Sequence, residues 1–422
     1  AILRFYNLNW GAPFYFHPDE RNIADIISSL DSSKLDFFLK GTFAYGTLVS
    51  NIVFFINKLT APILSIFGFQ DSFSQSVVLL RLISSFSSSL TIVIVFLIGY
   101  QTLNRQKALL AAFLTASSVG LIQAAHFGVY ESILNLSYTL LLFTTIKYIK
   151  TKKVSYIYLS SLIISSAAAI KINSMMFLII PLGLLAIHIH SKKIDRVKGL
   201  VYSFYVMSSS LLIIILVSPY YLTEKFREMF SYEVSLLTGS LPVFYTGEFF
   251  NTAPIFYQFT HVLPFLINPT LTIIFIPLLF YILYRGFKKK NYFYLLTILF
   301  FLMLFIPSVL LYAKWTRYLL PTLPFIYIII SIGVIDFLDT FPKKFKAIKL
   351  GAIGAMAIIS AIFAFSYLLE VFTREDTRIS ASKWASQNIP KDTKILSEVY
   401  DLGITPFNPY FSNISLFNFY EL

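Results

Sequence analysis

Apolar positions along the chain fall into long unbroken runs, with little of the two- or four-residue spacing that marks water-facing elements. The runs cover roughly 81–101, 108–125, 132–149, 155–170, 173–190, 199–218, 262–284, 291–312, 318–338 and 350–370. Each is close to the length of about 20 residues that crosses a hydrocarbon core as a helix. Only structures that satisfy their backbone bonds internally can cross, so the pattern predicts an all-α polytopic membrane protein with about ten spans. The stretch Ala1 to Trp10 reads like the end of a span already under way, which predicts a first helix before it.

Positive charge sits between alternate pairs of runs. The clusters are Arg105 with Lys107; Lys147, Lys150, Lys152 and Lys153; Lys192, Lys193, Arg196 and Lys198; Arg285 with Lys288, Lys289 and Lys290; and Lys343, Lys344, Lys346 and Lys349. Two spans separate each cluster from the next, as expected if all of them are cytoplasmic. Residues 48–68 test this scheme, because they are apolar but contain Asn51, Asn57, Lys58 and Pro62. If they crossed, the amino-terminal loop would face the opposite way from the other outer loops. They are expected instead to form a juxtamembrane or re-entrant helix. The outer face then collects residues 11–80, 126–131, 171–172, 219–261, 313–317 and everything after 371.

This divides the chain into a transmembrane domain, 1–371, and a polar region, 372–422. The domain includes a first outer loop (11–80) with juxtamembrane helices and a large outer loop (219–261). The polar region has short apolar stretches such as Lys394-Ile395-Leu396, which predict the start of a small α/β extracytoplasmic domain that continues past Leu422. Composition agrees. The chain is 57% hydrophobic and 13% charged, where soluble domains carry about 25% charged residues. The net charge of +13 would suggest nucleic acid in a soluble protein. Here it resides in the topology clusters, so the expected partner is the lipid bilayer and no nucleic acid. The absence of cysteine excludes disulfides, thiolate nucleophiles and cysteine-bound metals.

Candidate chemistry gathers on the outer face. In Phe16-His17-Pro18-Asp19-Glu20-Arg21, the adjacent carboxylates suit a base or a cation site, or else simply open a helix, with Asp19 as cap and Glu20 favouring the dipole. Ala125-His126-Phe127-Gly128-Val129-Tyr130-Glu131 places an acid at the mouth of a helix pair, as a functional group or a water-facing carboxylate. Arg81, Lys171 and Arg317 are outer cations that break the positive-inside trend, and Lys314 accompanies Arg317. One such cation can be a snorkelling side chain, but three on one face suggest an anion site. Phosphate-binding glycine loops, zinc-binding histidine pairs and serine-nucleophile motifs are missing from the sequence.

In their order along nearly the whole chain, these elements resemble the GT-C membrane glycosyltransferases, specifically the protein O-mannosyltransferases and bacterial aminoarabinose-type transferases. Asp19-Glu20 resembles the acidic pair of the first outer loop, and Arg81-Leu82-Ile83-Ser84 the arginine-led start of the next span. His126 through Leu134 resembles the second acidic motif, with Glu131 where an aspartate is usual. Lys171-Ile172-Asn173 resembles a Lys-Tyr-Asn element, Ser218-Pro219-Tyr220 an Asn-Pro-Tyr element, and Arg317 through Pro324 an Arg-Tyr-x-x-Pro-x-x-Pro stretch.

The resemblance implies a GT-C-like fold and an inverting transfer of sugar from a polyprenyl (or dolichyl) phosphate to an acceptor protein, lipid or glycan. It also implies an outer-face site in the plasma membrane of a prokaryote. Such a transfer needs one base and positive charge for the departing phosphate. Asp19, Glu20 and Glu131 are the catalytic candidates, with Asp19 as base and an exchange of roles with Glu131 left open. Arg81, Lys171, Arg317 and, more weakly, His126 are the candidates for the donor phosphate. The resemblance fixes no cofactor, and Asp19, Glu20 and Glu131 could share a divalent cation. The competing reading is a transporter or lipid flippase. Transporters place their charged site near the midplane between related halves, whereas these charges lie at the outer ends of spans.

Overall fold

The computed structural model describes residues 1–31, 40–41, 43–398 and 410–417. Two helices, α1 (Ile2–Phe5) and α2 (Pro18–Ser28), precede α3 (Leu48–Ile66). Next come α4 (Ser72–Thr102), α5 (Arg105–Ala116), α6 (Val119–His126), α7 (Glu131–Thr151) and α8 (Ser155–Ala168). A 3-10 segment, Ile172–Leu178, runs into α9 (Ile179–His190), followed by α10 (Arg196–Val217). The large outer loop carries α11 (Glu224–Thr238), and the short α12 (Leu263–Ile267) leads back into the bundle. The bundle closes with α13 (Pro269–Lys288), α14 (Tyr292–Leu310), α15 (Leu323–Leu338) and α16 (Lys346–Leu368). Beyond it lie α17 (Thr377–Asn388) and two parallel strands, β1 (Ile395–Glu398) and β2 (Ile414–Phe417), with Ile395 opposite Ile414.

Among the described residues, nine helical segments are long and apolar enough to cross a membrane, or ten with the bent pair α5–α6. The chain is an integral membrane protein with about ten spans. Two segments differ from the sequence expectation. α3, expected to stay at the surface, reaches spanning length at 19 residues, while α8, expected to cross, has only 14. Polar side chains explain how α3 packs. Asn57 Nδ2 reaches Ser72 and Ser76 on α4, and Asn51 is buried as well, so the two asparagines face protein rather than lipid, while Lys58 and Pro62 are exposed.

Caps fix where the helices begin. Asp71 accepts from Ser74 N–H (2.9 Å) at α4, Asn104 from Lys107 N–H at α5, and Asn268 from Leu271 N–H at α13. A helix end inside a bilayer needs such partners, because no water is present to supply them. The 51° bend between α5 and α6 leaves carbonyls unpaired, and the buried Arg4 meets them. Its guanidinium donates to Thr115 O and Ala116 O (both 2.8 Å) and to Ser88 Oγ (2.7 Å).

At the centre is α15, apolar on every side and 83% buried over its span, packed by α5, α13 and α14. α4 and α7 form the other half of the core. α10 lies at the edge with 17% of its span buried, and Leu200, Phe204, Leu212 and Leu216 are exposed to the bilayer. An all-round apolar helix is a buried or lipid-facing one, and contacts decide which. At the Leu338 end of α15, Asp336 pairs with Lys107 from α5 and accepts from Tyr294 OH of α14 (2.7 Å). Arg285 of α13 approaches the same carboxylate to 3.8 Å. The other end of α15 follows the Thr316–Tyr318 turn.

Candidate functional site

Backbone ties place the key segments. Gly46 N–H donates to Ile170 O (2.9 Å), and a Cβ at Gly46 would lie 2.1 Å from Ala169 O, so only glycine allows this approach. Thr47 N–H donates to Ser218 Oγ (2.9 Å), Tyr220 OH to Phe43 O (2.9 Å) and Tyr221 OH to Ala168 O (2.7 Å). The Ser218-Pro219-Tyr220 element is therefore scaffolding. It holds Tyr45, in the first outer loop, against Lys171, between α8 and α9.

Those two residues form part of a cavity of about 500 Å³. Its polar lining includes Glu131, Lys171, Asn173, Glu233 and Arg317, with the rings of Tyr45, Tyr138 and Tyr318. The remainder is mostly apolar, with Leu134, Met175, Met176, Leu304, Pro307 and Leu311. Lys171 and Arg317 flank one ring: Lys171 Nζ is 4.9 Å and Arg317 Cζ 5.4 Å from the centroid of Tyr318. Lys171 Nζ also lies 5.7 Å from the Tyr45 ring, and Arg317 Cζ 4.8 Å from that of Trp315. Aromatic faces attract cations, so both charges are held without a carboxylate saturating them. Burial pushes the Lys171 ammonium below the ordinary lysine range, against the opposing pull of Glu131, Glu233 and Asp19. Burial also holds the Tyr45 hydroxyl well above the usual phenol range, so it remains a neutral donor.

Arg317 gives one nitrogen, Nη1, to Asp19 Oδ2, while its Nε is buried with no partner. A buried donor left unpaired is costly and unusual. Asp19, in the first turn of α2, meets Arg317 from outside the cavity lining, with its side chain 22% exposed. Glu131 opens α7, is 5% exposed and lines the cavity. Among the described residues its carboxylate has no hydrogen-bond or ion-pair partner.

Glu20 and Arg81, both expected in the site, are elsewhere. Arg81 Nε and Nη2 meet the two oxygens of Glu20 (2.8 and 2.6 Å), and its Nη1 donates to Leu8 O and Trp10 O. Gly128 N–H adds a third bond to Glu20 (2.6 Å). Both side chains are fully buried and their bonding is complete, so neither has capacity for a substrate. The expectation that Arg81 opens its span is corrected as well: α4 begins at Ser72, which puts Arg81 inside it. His126 has Ile122 O and Tyr6 O at its two ring nitrogens (both 2.8 Å) and stacks on Phe372 at 3.8 Å, away from the cavity. Lys314 donates to Tyr312 O and lies among aromatic rings. Glu20 is committed to Arg81 and Gly128, so its oxygens are already engaged where a cation shared with Asp19 and Glu131 would need them. No cluster of three or more acidic or histidine ligands occurs among the described residues.

Glu233 escaped the sequence reading. It accepts from Tyr318 OH (3.1 Å) and enters the cavity from α11, with Phe230, Val234 and Leu237 beside it. The signal was present: Phe226, Phe230, Val234 and Leu237 make a helical stripe, and Glu233 is an acid on that face.

Residues 28–231 match the family model of dolichyl-phosphate-mannose-protein mannosyltransferase. That stretch includes Arg81, His126, Glu131 and Lys171 and leaves out Asp19, Glu20, Glu233 and Arg317. Among solved structures, ArnT from Cupriavidus metallidurans is similar in its apo state and bound to undecaprenyl phosphate, with TM-scores of 0.56 and 0.59. Both matches have 12% identity and cover 95% of this chain and 81% of that one. The apo Archaeoglobus fulgidus oligosaccharyltransferase is similar at a TM-score of 0.55 and 14% identity, over 92% of this chain and 57% of that one. At these identities the likeness is one of fold. No curated protein matches the sequence significantly.

Proposed function

We propose that this chain is a GT-C membrane glycosyltransferase that moves a sugar from a polyprenyl phosphate to an acceptor hydroxyl on the outer face of a prokaryotic plasma membrane, a reading that the family-model match and the fold likeness support. The observation that carries the reading is the pair of under-used cations in a mainly apolar cavity. Lys171 rests on ring faces, and Arg317 has a buried Nε without a partner. A phosphate that leaves as an anion needs such donors, and the apolar lining suits the adjoining prenyl chain. The phosphate-binding set is therefore Lys171 and Arg317, without Arg81 or His126.

With the sugar-phosphate in the cavity, Asp19 is the best-placed base. Its side chain is partly exposed outside the cavity lining, where a hydroxyl arriving from water can meet it, whereas Glu131 lies within the volume the donor would fill. Attack from beyond the sugar, with the phosphate departing inward, inverts the anomeric carbon. Proton transfer to Asp19 accompanies formation of the new bond. Glu131 sustains the charge of Lys171 and accepts a hydroxyl of the sugar.

Supplying polyprenyl-phosphate sugars to the purified protein with candidate acceptors tests the reading. The expected result is glycosylated acceptor and sugar-free lipid phosphate in equal amounts, both lost in Lys171→Ala. Movement of intact sugar-lipid across the membrane without cleavage would favour the flippase instead. Sidedness follows from single cysteines placed near Glu20 and Tyr130, which should label from the same outer face.

A further inference from the structure

Arg317 has five N–H groups to offer. Only Nη1 meets Asp19, and Nε has no partner. The Arg81–Glu20 pair shows what a finished contact looks like here: two parallel bonds, two carbonyls on the remaining nitrogen, and no exposure. The Arg317–Asp19 pair is single-bonded, with side chains 28% and 22% exposed. It joins α2 to the Thr316–Tyr318 turn that precedes α15. The guanidinium rests on the ring faces of Trp315 and Tyr318, contacts that do not depend on which N–H groups are engaged.

From this geometry we infer that Arg317 exchanges partners. In this geometry it holds Asp19, and it turns to the donor phosphate when the lipid enters, leaving Asp19 unpaired once the lipid is bound. The inference rests on the donor-phosphate reading above. A guanidinium fork matches a phosphate with two bonds, one more than it gives Asp19. The exchange also uncovers the Asp19 oxygen that Arg317 had engaged, so that it is open to the acceptor hydroxyl at the moment the sugar is present. Donor binding then precedes acceptor activation, and α2 is released from the turn as the donor arrives.

Binding of undecaprenyl phosphate to the full chain in detergent tests the exchange, with phosphate-free polyprenol as the control lipid. The proteins compared are wild type, Asp19→Asn, Arg317→Gln and the double variant. If Asp19 competes with phosphate, Asp19→Asn binds about five-fold tighter or more, and the gain disappears when Arg317→Gln is the background. Asp19→Ala should show the same gain and serves if the Asn variant unfolds. Equal or weaker binding by both Asp19 variants, with Arg317→Gln still impaired, overturns the exchange but leaves the phosphate site standing. Wild-type affinity in both Arg317→Gln and Lys171→Ala removes the phosphate site, and the exchange with it.

Discussion

Asp19 and Glu20 are neighbours in one helical turn, each paired with an arginine, yet the two pairs are built for opposite purposes. Glu20 and Arg81 have no exposed surface, and every side-chain nitrogen and oxygen of the pair is engaged. They fasten α2 and the loop around Leu8 to α4. Asp19 and Arg317 share one bond at the edge of a cavity, and one arginine nitrogen is unused. Completeness of bonding, more than charge or position in the motif, distinguishes a scaffold from a site.

The largest expected effect is on turnover at the open pair. Asp19→Asn keeps the shape but removes the basic oxygen, and should lower the transfer rate about 10²- to 10⁴-fold while the protein still binds donor. A correctly folded Asp19→Asn enzyme with near-normal turnover would pass the base to Glu131. The closed pair should fail differently. Arg81→Ala strands a fully buried carboxylate and should cost about 3–5 kcal/mol of stability, read as a large fall in the thermal unfolding midpoint. Arg317→Gln, at a partly exposed pair, should cost about 1 kcal/mol or less. Similar losses for both arginines would erase the distinction.

Lys171→Ala should weaken donor binding by about 1.5–3 kcal/mol, the usual worth of a hydrogen bond to a charged group, with little change in unfolding temperature. A pH profile sharpens this. Burial lowers the Lys171 pKa, so the ammonium loses its proton before an ordinary lysine would. Donor affinity should therefore fall as pH rises, beginning below the ordinary range near about 10.4. The smallest effect concerns His17, whose Nδ1 accepts from Glu20 N–H at the start of α2 (3.3 Å). Burial lowers its pKa, so the neutral cap is intact above the ordinary histidine range. Its contribution, about 1 kcal/mol for a cap, should be lost as pH falls through the lowered value. His17→Asn, another capping residue, should flatten that part of the stability profile.

The membrane character and most spans were legible, because a run of apolar residues constrains a segment whatever its neighbours. Cations out of place on the outer face led to Lys171 and Arg317, since an unbalanced charge is visible in one dimension. What pairs with that charge is not. Arg81 looked as anomalous as Arg317, and only the arrangement of α2 against α4 shows that Glu20 already satisfies it. Similarly, Asn51 and Asn57 weakened the apolar run over α3, although Asn57 Nδ2 finds its partners on α4 and the side chain faces protein. Glu233 had a helical stripe to mark it, but its cavity is made by segments far apart in the chain.

The Asp336 cluster has a consequence for electrical insulation. A site that admits water and ions from one side must not open a conductive path to the other. Here the cavity charges and Asp336 stand toward opposite ends of α15, with about 20 Å of helix from Leu323 to Asp336 at 1.5 Å per residue. Between them Phe325, Ile326, Ile328, Ile329, Ile330 and Ile332 are fully buried. Lys107, Tyr294 and Arg285 surround the far carboxylate and engage both of its oxygens. The bundle can hold a polar chamber toward one end while the potential across the membrane falls over packed hydrocarbon.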